Sequence, residues 1–147
     1  VKIGMGVIDP NSGVVGVITD VSKDFAVVMS LLHKDSRISG KLLKGGETGT
    51  LNWDGKTPNI ISLTGIAKSA KVAKGDTIIS SGFSTSFPRG MMVGSVLEAI
   101  PEKSSSNYLI KFRSAANFYN LEYVYVIENK QAENIKDMLD NVKNKNQ

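Results

Sequence analysis

The sequence predicts an all-β protein, a sandwich or barrel of short strands. Three observations carry that expectation. Segments rich in Val, Ile and aromatic residues recur at short intervals. Turn signals containing Gly, Pro, Asn and Asp separate them. Helical periodicity is confined to the C-terminal tail. Short strands with Gly and Pro punctuation are the pattern of closed or stacked β-sheets.

The first strand signal is Val14–Val21 (VVGVITDV), which follows the turn Asp9-Pro10-Asn11-Ser12-Gly13. Phe25–Leu32 (FAVVMSLL) comes next, after Ser22-Lys23-Asp24. Gly49–Gly55 (GTLNWDG) ends in Asp-Gly, a strong hairpin signal, and Ile60–Ile66 is its expected returning partner. Thr77–Ser80 and Met91–Ile100 are two further strands, joined by a glycine-rich stretch. Asn107–Ser114 alternates, with Tyr108, Ile110 and Phe112 opposite Leu109, Lys111 and Arg113. Leu121–Glu128 also alternates, but its second face is half apolar, which suggests burial on both sides. From Gln131 the period changes. Ala132, Ile135, Met138, Leu139 and Val142 form one helical stripe, with Asn129 as an N-cap.

Composition narrows the function. At 147 residues the chain makes one ordinary domain or two very small ones. Hydrophobic residues at 41% and charged residues at 22% suit a packed core. The net charge of +4 is mild and scattered, which is weak support for nucleic acid. The absence of cysteine removes disulfides, thiolate chemistry and zinc–thiolate sites. The longest apolar run falls well short of the ~18 residues of a membrane span. The chain opens on Val inside a strand-like phrase and reads as part of a longer protein.

The chemical constellations are sparse. His33 is the single histidine, so a serine triad would have to join it to Ser84, the one tempting nucleophile. Thr85 follows Ser84 and residue 86 is Ser, so neither the glycine-flanked serine loop nor the Gly-x-Ser-x-Gly elbow is present. Asp20, Asp24 and Asp35 do not make a dense oxygen cluster, and calcium-loop spacing is missing. Gly4-Met5-Gly6 begins a dinucleotide-like phrase, but Asp9 stands at the third glycine position and no helix pattern follows. Lys111-Phe112-Arg113 mixes basic and aromatic types, but a strand points Phe112 away from both charges. A serine hydrolase using Ser84 and His33, or a small-barrel nucleic-acid module, remain the alternative classes. No cofactor is implied.

The glycine-rich stretch makes sense as barrel corners. Gly75 supplies a turn and Asp76 bonds the backbone beyond it. Gly82 ends a strand, Pro88-Arg89-Gly90 forms a turn, and Gly94 marks a bulge or a close strand crossing. Phe83 and Phe87 bracket a polar loop as plugs at a barrel mouth. With Met91 and Met92 they are also candidate partner contacts, as are exposed aromatics at Tyr119 and Trp53.

The order Gly75-Asp76, Ile78-Ile79-Ser80-Ser81-Gly82, Phe87-Pro88, Gly90 and Val93-Gly94 resembles the signature of the MreC family, the rod shape-determining proteins of the bacterial cell envelope. Val14–Ser22, Val28–Ser39 and Gly49–Gly55 resemble that family's first β region, so the likeness spans Gly4 to Ile127. The bulk of Met91-Met92 departs from the pattern and bears on local packing. The resemblance marks Gly75, Asp76, Ser81, Gly82, Phe87, Pro88, Gly90 and Gly94 as structural residues of the motif. It implies two small six-stranded barrels in a chymotrypsin-like arrangement, without enzymatic activity. On that plan residues 1–66 make the first barrel and 67–128 the second, with strand 121–127 as a possible closure of the first. Residues 129–147 make a short helix and tail. It also implies a membrane anchor and coiled coil elsewhere in the full-length protein, and a periplasmic location. The implied partners are the transpeptidase penicillin-binding protein 2, MreD, the MreB machinery indirectly, and further copies of the chain. Nucleic acid is not among them. The implied role is a scaffold that positions and activates side-wall peptidoglycan synthesis.

Overall fold

The computed structural model describes residues 1–82 and 86–129. The described strands are β1 (Gly6–Ile8), β2 (Val14–Val21), β3 (Ala26–Ser30), β4 (Ile38–Leu42), β5 (Thr48–Asn52), β6 (Ile60–Ala67), β7 (Thr77–Ser80), β8 (Met92–Pro101), β9 (Asn107–Ser114) and β10 (Tyr125–Ile127). Six of them close a barrel in the order β4-β5-β6-β9-β8-β7. The other four form an open sheet, β10-β1-β2-β3. The described residues contain no helix.

Alternation builds the barrel. In β4, Ile38, Gly40 and Leu42 point inward while Ser39 and Lys41 stay half-buried. Leu51, Ile61, Leu63, Ile78, Val96, Ile110 and Phe112 fill the interior from the other strands. The seam is the antiparallel pairing of β4 with β7, from Gly40–Ser80 to Leu42–Ile78. Register shifts interrupt the β6–β9, β7–β8 and β8–β9 ladders. Such bulges bend strands and sharpen their twist, which lets a short sheet curl shut.

The open sheet is fastened to the barrel by a shared core. Ile8, Val14 and Leu31 belong to the same buried cluster as Leu63, Ile110 and Phe112. A smaller cluster of Val7, Val15, Ile18 and Ala116 also forms, with Phe118 and Leu121 packed on it. The segment carrying Ala116 and Phe118 is held by Asn59, at a left-handed φ of 68°. Asn59 accepts from Ser114 N at 2.8 Å through its backbone carbonyl and from Phe118 N at 2.8 Å through Oδ1. Its Nδ2 donates to Asn117 Oδ1 at 3.0 Å.

Several expectations are corrected. Among the described residues one barrel closes and the second unit is an open sheet, so the second expected barrel is not seen there. Among the described residues the second unit has four strands, β1 and β10 span three residues each, and the edge strands β3 and β10 do not pair with each other. Nor do the sheets divide at residues 66 and 67, because β6 pairs with β9 and β4 with β7 across that point. The strand near Leu121–Glu128 is not buried on both sides. Its three paired residues lie at a sheet edge, and Tyr123, Val124, Tyr125 and Val126 are exposed. β5 and β6 do pair, but Asp54-Gly55 sits inside a longer connection, not a two-residue turn. β1 and β4 are strands beyond those expected. The expected C-terminal helix of 129–147 lies, from residue 130 onward, outside the described residues.

Candidate interaction surface

The glycine-rich stretch is a clamp between barrel and sheet. It begins at a tight turn where Gly75 adopts φ 92°. Asp76 Oδ2 accepts from Ala73 N at 2.9 Å, an acceptor the sequence places immediately before β7. Gly75 N and Asp76 O then pair with the backbone of Val96, tying the turn to β8. At the far end of β7, buried Ser80 closes the loop. Its hydroxyl donates to Pro88 O at 2.6 Å and accepts from Met91 N at 2.9 Å. Sequence reasoning missed Ser80 and singled out its neighbour Ser81, which is also buried. The signal available was the even spacing Ile78–Ser80, which puts both side chains on one face.

Two glycines here are sterically required. Gly82 has φ 84°, and a Cβ there would lie 2.8 Å from Arg89 Cβ. At Gly94 a Cβ would lie 2.2 Å from Arg113 O and 2.5 Å from the Phe112 ring, at the point where the β7–β8 register shifts. Gly90 ends the Pro88 turn at φ 94°.

Phe87 is the tooth of the clamp. It is fully buried, and its ring lies over β1 so closely that a Cβ on Gly6 would sit 2.5 Å from Cε1. A second link joins Gly13, after the β1–β2 turn, to Met92 by a parallel bridge. Phe87 is therefore a core residue and not a surface contact, because the sheet covers it. Met91 packs on the barrel core. Met92 is 39% exposed. Phe83 and Ser84 lie outside the described residues. His33 is half-exposed on a loop, where its Nδ1 accepts from Asp35 N at 3.0 Å and lies 3.9 Å from Asp35 Oδ2. Among the described residues no group of three or more His, Cys, Asp or Glu could hold a metal ion. Trp53 is half-buried with Nε1 donating to Thr57 O at 3.0 Å, while Tyr119 is exposed.

A family model described as rod shape-determining protein MreC, barrel core, matches residues 1–128. The chain belongs to the MreC family. The cell shape-determining protein MreC of Listeria monocytogenes is 27% identical over 131 residues, covering 87% of this chain and 44% of that relative. The chain thus spans less than half the length of that curated relative. The crystal structure of MreC from Pseudomonas aeruginosa superposes with a TM-score of 0.78 at 26% identity, over 86% of this chain and 81% of that one. A complex between penicillin-binding protein (PBP2) and MreC from Helicobacter pylori shares the fold, with a TM-score of 0.67 at 21% identity over 85% and 76% of the two chains.

This MreC-family domain exposes two apolar strips, of which only Tyr119 was singled out in the sequence. One is Tyr119, Tyr123 and Val124, which precede β10, with Tyr125 and Val126 on it. The other is Val21, Phe25 and Val27 at the β2–β3 hairpin, with Phe25 79% exposed. Tyr125 and Val126 on β10 and Val27 on β3 belong to the edge strands of the open sheet, where side chains lack a neighbour on one side.

Proposed function

We propose that this chain is a non-enzymatic scaffold module of the wall-elongation machinery. It organises and activates side-wall peptidoglycan synthesis through protein–protein contacts and self-association. The observation that carries this reading is the family match over residues 1–128. The family description names shape determination and no reaction. A penicillin-binding protein of the PBP2 type is the proposed partner, supported by the solved complex of such a protein with the Helicobacter pylori MreC. MreD is a second proposed partner, and the MreB machinery is engaged indirectly. The proposed location is the periplasmic side of the cell envelope, with a membrane anchor in the full-length protein.

The architecture suits a docking part. The clamp of Phe87 over Gly6 holds barrel and sheet in one orientation, and the exposed strips on the sheet edges offer surface to a partner. Of the contacts expected from the sequence, exposed Met92 is retained for that role and buried Phe87 is not. The test is complementation. Cells depleted of the full-length protein are supplied with a version lacking residues 1–128. Rounding despite normal abundance of the truncated protein is expected. Maintained rods would contradict a role for this domain.

A further inference from the structure

A cavity of about 330 Å³ opens between the β1–β2 turn and the segment 117–123. Its polar lining comes from Asp9, Asn11, Asn117, Asn120 and Glu122, and Tyr123 stands at its side. We infer that this cavity is a saccharide-binding site, which accepts a neutral, polyhydroxylated ligand.

Chemistry selects that class. The chain carries 18 Lys and Arg residues, yet none lines the cavity, so an anion would meet carboxylates without a counter-charge. A divalent ion needs a denser oxygen cage, and the described residues contain no group of three or more acidic or His ligands. Three Asn amides supply both donors and acceptors, and two carboxylates supply acceptors. A sugar presents that mixture, since each hydroxyl donates once and accepts twice. Its C–H face needs an apolar plate, and the exposed Tyr123 ring is one.

Part of the site is pre-set. Asp9 is 5% exposed, and its Oδ1 accepts from Asn11 N at 3.0 Å and Gly13 N at 2.7 Å. Asn117 Oδ1 accepts from Asn59 Nδ2 at 3.0 Å and Tyr119 N at 3.1 Å, which leaves its amide N–H groups for a ligand. Ordered polar groups lose little freedom on binding, which favours even a weak ligand.

The experiment is heteronuclear NMR titration of the folded domain with cellotriose, maltotriose and triacetylchitotriose, and separately with arginine methyl ester as a cationic probe. At least one trisaccharide is expected to shift the amides of Asn11, Asn120 and Tyr123 saturably in the millimolar range. Tyr123→Ala, at an exposed position, should weaken that binding by about fivefold or more. Glu122→Gln keeps a hydrogen-bonding group and should change it less than about threefold. Three results overturn the inference: no saturable shift with any sugar, shifts confined to residues outside the cavity, or binding of the arginine ester alone that Glu122→Gln abolishes.

Discussion

Phe87 and Gly6 form the contact on which the arrangement of barrel and sheet turns. A phenylalanine beside a polar loop reads the same in sequence whether it plugs a core or waits for a partner. The choice is made by Gly6, 81 residues earlier, whose missing side chain leaves room for the ring. Phe87→Ala should cost about 3–5 kcal/mol by removing a fully buried ring. Gly6→Ala should cost about 1–3 kcal/mol through overpacking. The two sites touch, so their effects should not add, and Gly6→Ala should cost less once the ring is gone. Denaturant unfolding of both single variants and the double variant checks this. Strict additivity would mean that the ring does not occupy the space over Gly6.

At the scale of elements, one hydroxyl joins two backbone bonds in closing the loop between β7 and β8. Ser80 bonds both Pro88 O and Met91 N, so Ser80→Ala leaves two backbone groups short of a partner. The expected loss is about 1–3 kcal/mol, with faster amide exchange at Met91 than at core amides such as Ile110. Unchanged exchange at Met91 would remove Ser80 from that role. The strands legible in sequence were those with sustained alternation or an apolar run between turn signals, such as β2, β6, β7 and β9. β1 and β4 were not legible. β1 has three residues with glycines in and before it, and β4 carries Gly40 at its centre, so their extended form comes from pairing with neighbours. β10 was legible as a strand but misread in burial. Alternation reports two faces and says nothing of whether a strand lies at an edge. The same limit hid the exposure of Phe25 and Val27, which lie in an apolar strand phrase.

At the scale of the molecule, all-β character and the motif glycines were readable because turns and bulges constrain residue type locally. The count of barrels was not, because closure depends on which distant strands find each other. The result is a single body in which Ile8, Val14 and Leu31 share a core with the barrel, so the exposed strips are carried at a fixed position. The scaffold reading requires those strips to meet a partner without any turnover. The most direct measurement is calorimetric titration of the domain with the soluble transpeptidase domain of penicillin-binding protein 2 from the same cell, at two salt concentrations. Saturable binding is predicted, with little salt dependence because the strips are apolar. A Phe25→Ser, Tyr125→Ser double variant should bind about tenfold more weakly at unchanged thermal stability. No saturable binding by the folded domain, or binding indifferent to both substitutions, would contradict a scaffold acting through these surfaces.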